Sequence, residues 1–411
     1  MHANRHIIMK RYIYIIIGIV VLAAVAVGII ILLKKKNPSI PFLGTGSLPT
    51  VGTQGTSSGE GGLGGVGTNT GSNQGNGGVI ALTQGSSSPV FGMVFAGPTL
   101  DYFVTPSDTI IAIEDSGAIT SITNGATTTI SSSTTSDIIS AGFSYDGKKV
   151  LISFGDPTYP QMKIFDIASK IWSPIFKGIY SPEWSPSNNY QIAYLTQTSV
   201  GMTLSVIDAA NLKKAPIIET SFAATDLSLQ WPSKNHFVFS DKPSINSYGS
   251  VWMFNAAANT LTSAAYEKTG LVAIWDDVSA TNTLGLLLEN QNNVPSLQLV
   301  DGTGATQHTL SFITLPSKCA FSNEGTGTTY LYCGVPVDQS GISSAGIPDA
   351  YNMKGLFTLD QIERIDTSSG EIKVLREDST PHIDITDLKI FNNFLFFVNR
   401  YDKGIYAITI H

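Results

Sequence analysis

The sequence contains few charged residues, only two cysteines and no basic stripe. Asp, Glu, Lys and Arg make up 13% of the 411 residues, and the formal net charge at pH 7 is −7. The first 36 residues contain six Lys or Arg residues and no acid, so the remainder of the chain is more acidic than the whole. Because clustered Lys and Arg bind phosphate backbones, this composition argues against a nucleic-acid partner.

Motifs that would identify an enzyme or a metal protein are also missing. The chain has no GxSxG nucleophile motif and no HExxH zinc motif, and its six His residues have no paired spacing. Residues Gly62–Gly67 match GxGxxG, but no strand precedes them and no helix follows, as a dinucleotide site requires. The sequence therefore predicts no catalytic residue, no metal site and no cofactor. It favours a function other than catalysis without excluding an enzyme.

The longest apolar run covers residues 12–33. These 22 residues carry no charge, and as a helix they are long enough to cross a hydrocarbon core of about 30 Å. A cleaved signal peptide is the alternative, but Lys34–Lys36 follow where small residues would be needed for cleavage. We therefore predict a short tail over residues 1–11 and a transmembrane helix over residues 12–33, which makes the membrane one partner.

A tract rich in Gly, Ser and Thr follows. Residues 37–78 contain a single charged residue, Glu60, and too few apolar residues to bury a core, so we predict a flexible linker over residues 34–78. Lys and Arg flank the apolar run equally, so the orientation rests on three other features. These are a pair of cysteines that could form a disulfide, a neutral linker that suits a surface domain, and a short N-terminal tail that can stay inside while a long domain is exported. The predicted location is the cell membrane, as a single-pass signal anchor with a cytoplasmic N-terminus and the folded domain outside the cytoplasm.

The rest of the chain repeats one pattern at intervals of 41 to 48 residues, apart from a last interval of 70. In each copy an aromatic residue precedes a short turn and an apolar run, as in FSYDGKKVLISF, which begins at Phe143. Self-similarity at such a period is typical of four-stranded propeller blades. The seven aromatic anchors are Phe95, Phe143, Trp184, Trp231, Trp275, Phe321 and Phe391.

A second marker follows most anchors by 20 to 26 residues, namely an apolar strand that ends in Asp or Asn and a small-residue turn. Asp, Asn and Gly adopt the backbone conformations that tight hairpins need, so each marker joins two strands and each repeat predicts four. We interpret the Trp anchors as wedges between blades rather than as stacking platforms for a ligand. The markers are Asp115, Asp166, Asp208, Asn255, Asp301 and Asp366.

The units WSPSNNYQIAYL…LSVIDAAN and FSYDGKKVLISF…MKIFDIASK resemble the WSPDG-type, WD-repeat-like units of TolB-like and dipeptidyl-peptidase-type propellers. The resemblance implies an all-β propeller. Seven anchors predict seven blades, with six as the alternative because the first unit matches least well. The last unit is one strand short, and Val79–Gln84 is a spare apolar strand, so we predict that it closes a propeller over residues 79–411.

The two cysteines, Cys319 and Cys333, lie on either side of a predicted hairpin turn centred on Thr326. With that centre they are opposite partners on adjacent strands, at a separation that a disulfide spans. Two reduced, buried thiols are the alternative. A disulfide is favoured if the domain lies outside the cytoplasm, where such bonds persist. No zinc site is predicted, since no His or further Cys lies nearby.

The sixth unit contains an insertion between its second and third strands, over residues 338–360. Its first half, Ser340–Gly346, is rich in Gly and Ser and is predicted to lack order. Its second half carries apolar and aromatic groups suited either to binding a partner or to covering the propeller face. The candidate binding residues are Pro348, Asp349, Tyr351 and Phe357.

These features predict a membrane-anchored, extracytoplasmic propeller that acts as a protein-, peptide- or glycan-binding module or scaffold of the cell envelope. The alternative is a propeller-based hydrolase or lyase. Its acidic residues would lie on several blades near the central channel, where spacing in the sequence does not reveal them. Two or three acids that converge in the channel would favour this alternative.

Overall fold

The computed structural model describes residues 90–410, apart from 188–189, 280–281, 324–327 and 378–379. These residues form seven antiparallel sheets of four strands each. The chain is therefore an all-β, seven-bladed propeller, and the six-bladed alternative is wrong. The predicted tail, transmembrane helix, linker and closing strand Val79–Gln84 lie outside the described residues.

The seventh blade combines both ends of the described chain. Strand β1 (Phe91–Phe95) is its outer strand and pairs with the last strand of the chain. The first six blades are each built from four consecutive strands. Blades 1 to 3 contain β2 (Thr99–Val104), β3 (Ile110–Glu114), β4 (Ile119–Thr123) and β5 (Ala126–Ser131); β6 (Ile138–Phe143), β7 (Lys149–Phe154), β8 (Gln161–Asp166) and β9 (Ile171–Lys177); and β10 (Ile179–Trp184), β11 (Gln191–Thr198), β12 (Gly201–Asp208) and β13 (Ile218–Phe222).

The second half of the ring continues in the same way. Blades 4 to 6 contain β14 (Leu227–Ser233), β15 (His236–Asp241), β16 (Tyr248–Asn255) and β17 (Thr260–Thr269); β18 (Val272–Ser279), β19 (Asn282–Gln291), β20 (Val294–Asp301) and β21 (Thr306–Thr309); and β22 (Cys319–Asn323), β23 (Thr329–Pro336), β24 (Asp360–Asp366) and β25 (Ile372–Arg376). Blade 7 adds β26 (Ile385–Phe391), β27 (Phe394–Asn399) and β28 (Ile405–Thr409) to β1.

The first strand of each blade lies at the centre of the ring. Neighbouring first strands contact one another, from β2 with β6 through to β22 with β26. The middle strands are apolar on both faces, and every residue of β27 and β28 is buried, as expected for sheets packed face to face. We call the face that carries the connections between successive blades, and between second and third strands, the loop face.

The Trp anchors pack between blades, as predicted. Trp184, Trp231 and Trp275 are all buried, each in a cluster with apolar side chains of the preceding blade. The indole Nε1 of Trp184 also donates a hydrogen bond of 3.0 Å to the Gly142 carbonyl in blade 2. A buried indole fills a large volume between two twisted sheets, which is why the repeat keeps an aromatic residue there.

The first repeat unit was assigned one strand too early. Phe95 lies in β1 of the seventh blade, and the position of blade 1 that corresponds to the anchors in the ladder is Val104, the last residue of β2. Asp115 follows the second strand of blade 1, whereas the other five markers end third strands; its equivalent is Asn124, after β4. The prediction was wrong because the connection after Phe95 carries the same turn residues as a hairpin within a blade.

The insertion in blade 6 contains two short helices. Helix α1 (Gln339–Ser344) covers most of the segment predicted to lack order, so that prediction was wrong. The Asp338 carboxylate accepts a hydrogen bond from the Gly341 amide and caps this helix. Helix α2 (Asp349–Asn352) follows it. Within the described part of the chain, neither of these helices, nor any other, is long and apolar enough to span a membrane.

Candidate functional site

A cavity of about 720 Å³ opens among blades 2, 3 and 4. The starts of their first strands line it with Ile139, Tyr180 and Leu227, and the connection between β7 and β8 adds Pro157 and Pro160. These segments belong to the loop face, and Tyr145, Ser185 and Pro186 from the connections after β6 and β10 also line the cavity, so it extends from the loop face toward the opposite face of the ring. Its volume falls within the range of roughly 300–1,000 Å³ of small-molecule and cofactor sites.

The cavity wall includes a carboxyl group, that of Glu183 on β10. The register between β10 and β11 shifts between Tyr180 and Glu183, so Ser181 and Pro182 bulge out of the ladder. Pro182 has no amide hydrogen to donate, which is why a bulge suits it. Burial and the negative charge of Asp101 raise the pKa of Glu183 to about 8.

A second group of carboxyls, those of Asp101 and Asp387, lies on the first strands of blades 1 and 7. Lys389 of β26 donates to the Asp101 carboxylate, to the Tyr102 carbonyl at 2.6 Å and to Asp387 Oδ1 at 3.2 Å. Burial raises the pKa of Asp387 to about 7, with Lys389 opposing and Asp101 adding to the shift. Asp387 lies at a bulge of the same kind as that in β10. The φ angle is 49° at Asp387 and 44° at Ser181.

Carboxyl groups therefore outnumber cations at the centre of the ring. Asp101, Asp387 and Glu183 come from blades 1, 7 and 3, whereas Lys389 is the single ammonium that pairs with two of them. The Oδ2 atom of Asp387 is buried and has no hydrogen-bond partner among the described residues. Glu183 likewise has no hydrogen bond or ion pair within the part of the chain that the structure describes. These groups can hold protons near neutral pH and exchange them when a charge approaches.

A separate ion cluster is fully buried between blades 6 and 7. Lys318 Nζ lies 2.6 Å from each of Thr358 Oγ1, Asp360 Oδ2 and Asp384 Oδ1, and none of the three charged side chains is exposed to solvent. Arg400 Nη1 pairs with Asp384 Oδ2 at 2.9 Å. This cluster has no access to a ligand, and it fastens the insertion and two blades to one another.

The four candidate binding residues of the insertion take different positions. Asp349 accepts hydrogen bonds of 3.0 Å from Ser244 Oγ and from the Ile245 amide of blade 4. Tyr351 is buried and donates to Asp384 Oδ1 at 3.1 Å. Pro348 precedes helix α2. Asp349 and Tyr351 are thus used to hold the insertion on the loop face, as expected for structural cover.

Phe357 differs from the other three because its ring is 47% exposed. It lies beside the Tyr401 ring, with centroids 5.6 Å apart, and its centroid is 4.6 Å from the Arg400 guanidinium. The structure therefore brings Tyr351 and Phe357 together around Arg400, whose guanidinium lies 3.7 Å from the Tyr351 centroid. Binding at this surface stays a prediction.

The disulfide prediction is confirmed. Cys319 of β22 and Cys333 of β23 are direct partners in the ladder, and their sulfur atoms are bonded. The predicted pairing about residue 326 gives the same register. No group of three or more His, Cys, Asp or Glu side chains within the described ranges could hold a metal ion.

The acids of the channel were not predicted. Asp101, Glu183 and Asp387 are far apart in the sequence, and only closure of the ring brings their strands together. One local signal was present: Pro182 stands immediately before Glu183 in a strand that is otherwise regular, and a proline inside a central strand indicates a bulge. A bulge re-aims the neighbouring side chain, in this case into the cavity.

Glu183→Gln is expected to stabilise the propeller at alkaline pH. The folded-state pKa of about 8 lies above the ordinary value of 4.5, so wild-type stability is lost as pH rises between these two values. We expect the variant to gain about 1 to 3 kcal/mol at pH 8 and nothing at pH 4, in urea unfolding at both pH values. Glu219→Gln, on the exposed outer strand of the same blade, is the matched control. If the free energy of unfolding changes with pH equally in wild type and in Glu183→Gln, the raised pKa of Glu183 is contradicted.

No model of a known protein family and no curated protein matches the sequence. Among solved structures, the tricorn protease is 9% identical with a TM-score of 0.46, over 79% of this chain and 34% of that one, so this chain spans about a third of it. The β-propeller domain of the trilobed protease from Pyrococcus furiosus is 12% identical with a TM-score of 0.47, over 77% and 94%. A chain of the mitotic checkpoint complex is 10% identical with a TM-score of 0.50, over 82% and 93%. At these identities the likenesses carry no argument about what this chain does, and the propeller fold rests on the seven four-stranded sheets themselves.

Proposed function

We propose that this protein is a membrane-tethered binding module of the cell envelope, whose propeller lies outside the cytoplasm and takes a peptide segment of a partner protein into the cavity among blades 2 to 4. The predicted helix at residues 12–33 and the linker at 34–78 provide the tether. The bonded pair Cys319–Cys333 supports a location where disulfides persist.

The observation that carries the proposal is the cavity itself. Its walls combine apolar groups such as Ile139 and Leu227, the aromatic ring of Tyr180, and two prolines with the hydroxyls of Ser140 and other serines. A cleft of mixed apolar and polar lining suits a peptide, because side chains fill the apolar part and backbone amides bond to the polar groups. A protein, peptide or glycan partner was predicted from the sequence, and this lining favours a peptide.

Ser140→Trp is expected to abolish partner binding. Ser140 is an exposed residue of β6 that lines the cavity, so an indole there fills the space that the ligand needs. The full chain, with a C-terminal affinity tag, would be cross-linked in envelope preparations and the captured proteins quantified by mass spectrometry. We expect at least a tenfold loss of the specific partner, equivalent to about 1.4 kcal/mol.

Ser173→Trp provides the matched control for that experiment. Ser173 is exposed on β9, the outer strand of the same blade, and does not line the cavity. We expect it to capture the partner as wild type does. Equal capture by both variants would show that the partner binds elsewhere, and a wild-type protein that captures nothing above a mock control would contradict the proposed function.

A hydrolase or lyase is the second candidate, and the channel acids favour it. Asp101, Glu183 and Asp387 converge from three blades, and two of them have pKa values of about 7 and 8, as a general acid and base require near neutral pH. Turnover distinguishes the two candidates. If wild type cleaves a peptide or oligosaccharide that it binds, and Glu183→Gln leaves the same compound intact, the protein is an enzyme rather than a binding module.

A further inference from the structure

The inner wall of the cavity presents a carboxyl group without a cation. Glu183 is partly buried and lines the cavity, and its side-chain carboxyl has neither a hydrogen bond nor an ion pair among the described residues. A carboxyl group in such a position costs free energy unless a cation or a donor reaches it. No side chain described in the structure provides that cation.

The charged groups around Glu183 cannot neutralise it. Asp101 lies near enough to act on it electrostatically, but it is negative and already pairs with Lys389. At the rim, Lys242 pairs with Asp226, and both side chains are about two-thirds exposed. The other titratable groups of the lining are the phenols Tyr145 and Tyr180, and a phenol carries no positive charge in either protonation state. The strands packed against β10 bring no further cation to the cavity, since neither β6 nor β14 contains a charged residue.

The amide of Gln230 is already used by the neighbouring blade. Its Nε2 donates to the Ala273 carbonyl at 2.6 Å, and its Oε1 accepts from the Trp275 amide at 3.1 Å. It is therefore not available to Glu183. A ligand is the remaining source of a positive charge.

We propose that the peptide bound in the cavity carries a Lys or Arg side chain whose ammonium or guanidinium pairs with the Glu183 carboxylate. This inference rests on the proposed function, since it assigns the residue type that the cavity selects. A long aliphatic stem packs along apolar walls while its charged end reaches a carboxylate, which matches a cavity with apolar sides and an acid in its inner wall. A half-buried charge pair of this kind favours the correct partner more than it increases affinity in general.

Binding of the cation is coupled to release of a proton. With a pKa of about 8, Glu183 is mostly protonated at pH 7, and only its ionised form pairs with a cation. The ionised fraction rises roughly tenfold for each pH unit below the pKa. Affinity for a cationic peptide should therefore increase from pH 6 to pH 8, although the peptide's own charge is constant over that range.

The test uses two blocked tripeptides that differ at one position. One has lysine between two glycines, and the other has norleucine in place of lysine, so that the stem is kept and the charge removed. Binding of each to the full chain is measured by isothermal titration calorimetry at pH 6, 7 and 8, in buffers of different ionisation enthalpy. We expect wild type at pH 8 to prefer the lysine peptide by at least about tenfold. We also expect about one proton to be released per peptide at pH 7.

Variants identify the group responsible. Glu183→Gln should bind both peptides equally and without pH dependence, whereas Glu219→Gln, which alters an exposed acid of the same blade, should retain the wild-type preference. If wild type binds both peptides equally, the cation inference is wrong while peptide binding stands. If wild type binds neither peptide, the cation inference is overturned, and the capture experiment with Ser140→Trp decides the proposed function separately.

Discussion

Lys318→Met is expected to lower the free energy of unfolding of the propeller by about 3 to 5 kcal/mol, because it leaves buried carboxylates without their cation. Lys318 is fully buried and contacts both Asp360 and Asp384 at 2.6 Å. Asp360 has no other cation among the described residues, and its Oδ1 already lacks a hydrogen-bond partner. Urea unfolding followed by tryptophan fluorescence measures the loss. The loss should shrink as the pH is lowered, because burial raises the pKa of Asp360 and a bound proton removes its unpaired charge.

Two further variants test whether the loss of stability comes from the missing buried charge of Lys318. Lys373→Met removes an exposed lysine from the outer strand of the same blade and should change stability by less than about 0.5 kcal/mol. Lys318→Met combined with Asp360→Asn should recover part of the loss, since Asp384 keeps its ion pair with Arg400. A loss below about 1 kcal/mol in Lys318→Met would mean that the ion cluster contributes little to folding.

Replacement of both cysteines by alanine is expected to cost about 3 kcal/mol, the value for a closed loop of roughly 15 residues. Cys319 and Cys333 are 14 positions apart and join the first two strands of blade 6. The cross-link restricts the unfolded chain, so the variant should unfold at lower urea concentration.

Reduction supplies the control for the cysteine variant. A reducing agent should lower the stability of wild type to the level of the double variant and leave the double variant unchanged. In the untreated protein an alkylating agent should label neither cysteine. Labelling of both without prior reduction would show that the bond does not form, and would remove the support that it gives to a location outside the cytoplasm.

The period of the aromatic anchors predicted seven blades correctly because each anchor has a packing role that local sequence reports. Trp184 and Trp231 are both buried, as their interpretation as wedges between blades predicts. The first unit was misread because strand identity at the start of a ring is not local: Phe95 belongs with β28, more than 300 residues away. No local feature of the sequence near Phe95 indicates that its strand pairs with β28.

The candidate site was harder to predict than the fold. The length of the insertion predicted a binding loop, yet its Asp349 and Tyr351 hold it against blades 4 and 7. Asp101, Glu183 and Asp387 carry no shared motif, and their proximity depends on how three separate strands bulge around one channel. Convergence of this kind is a property of the closed ring, whereas the two cysteines pair within one hairpin and the Trp anchors recur at a regular period in the sequence.

Strand β1 has a mechanical consequence. The chain that precedes it leads directly into a ladder with β28, where Phe91 lies opposite Ile408 and Val90 exchanges hydrogen bonds of 2.8 and 3.0 Å with Thr409. Tension applied through residues 1–89 therefore loads this ladder before any other blade. From there the force passes through β27 to β26, which Lys389 fastens to Asp101 of blade 1. If the proposed tether is pulled, the pair of β1 and β28 that completes the ring is the first to bear the force.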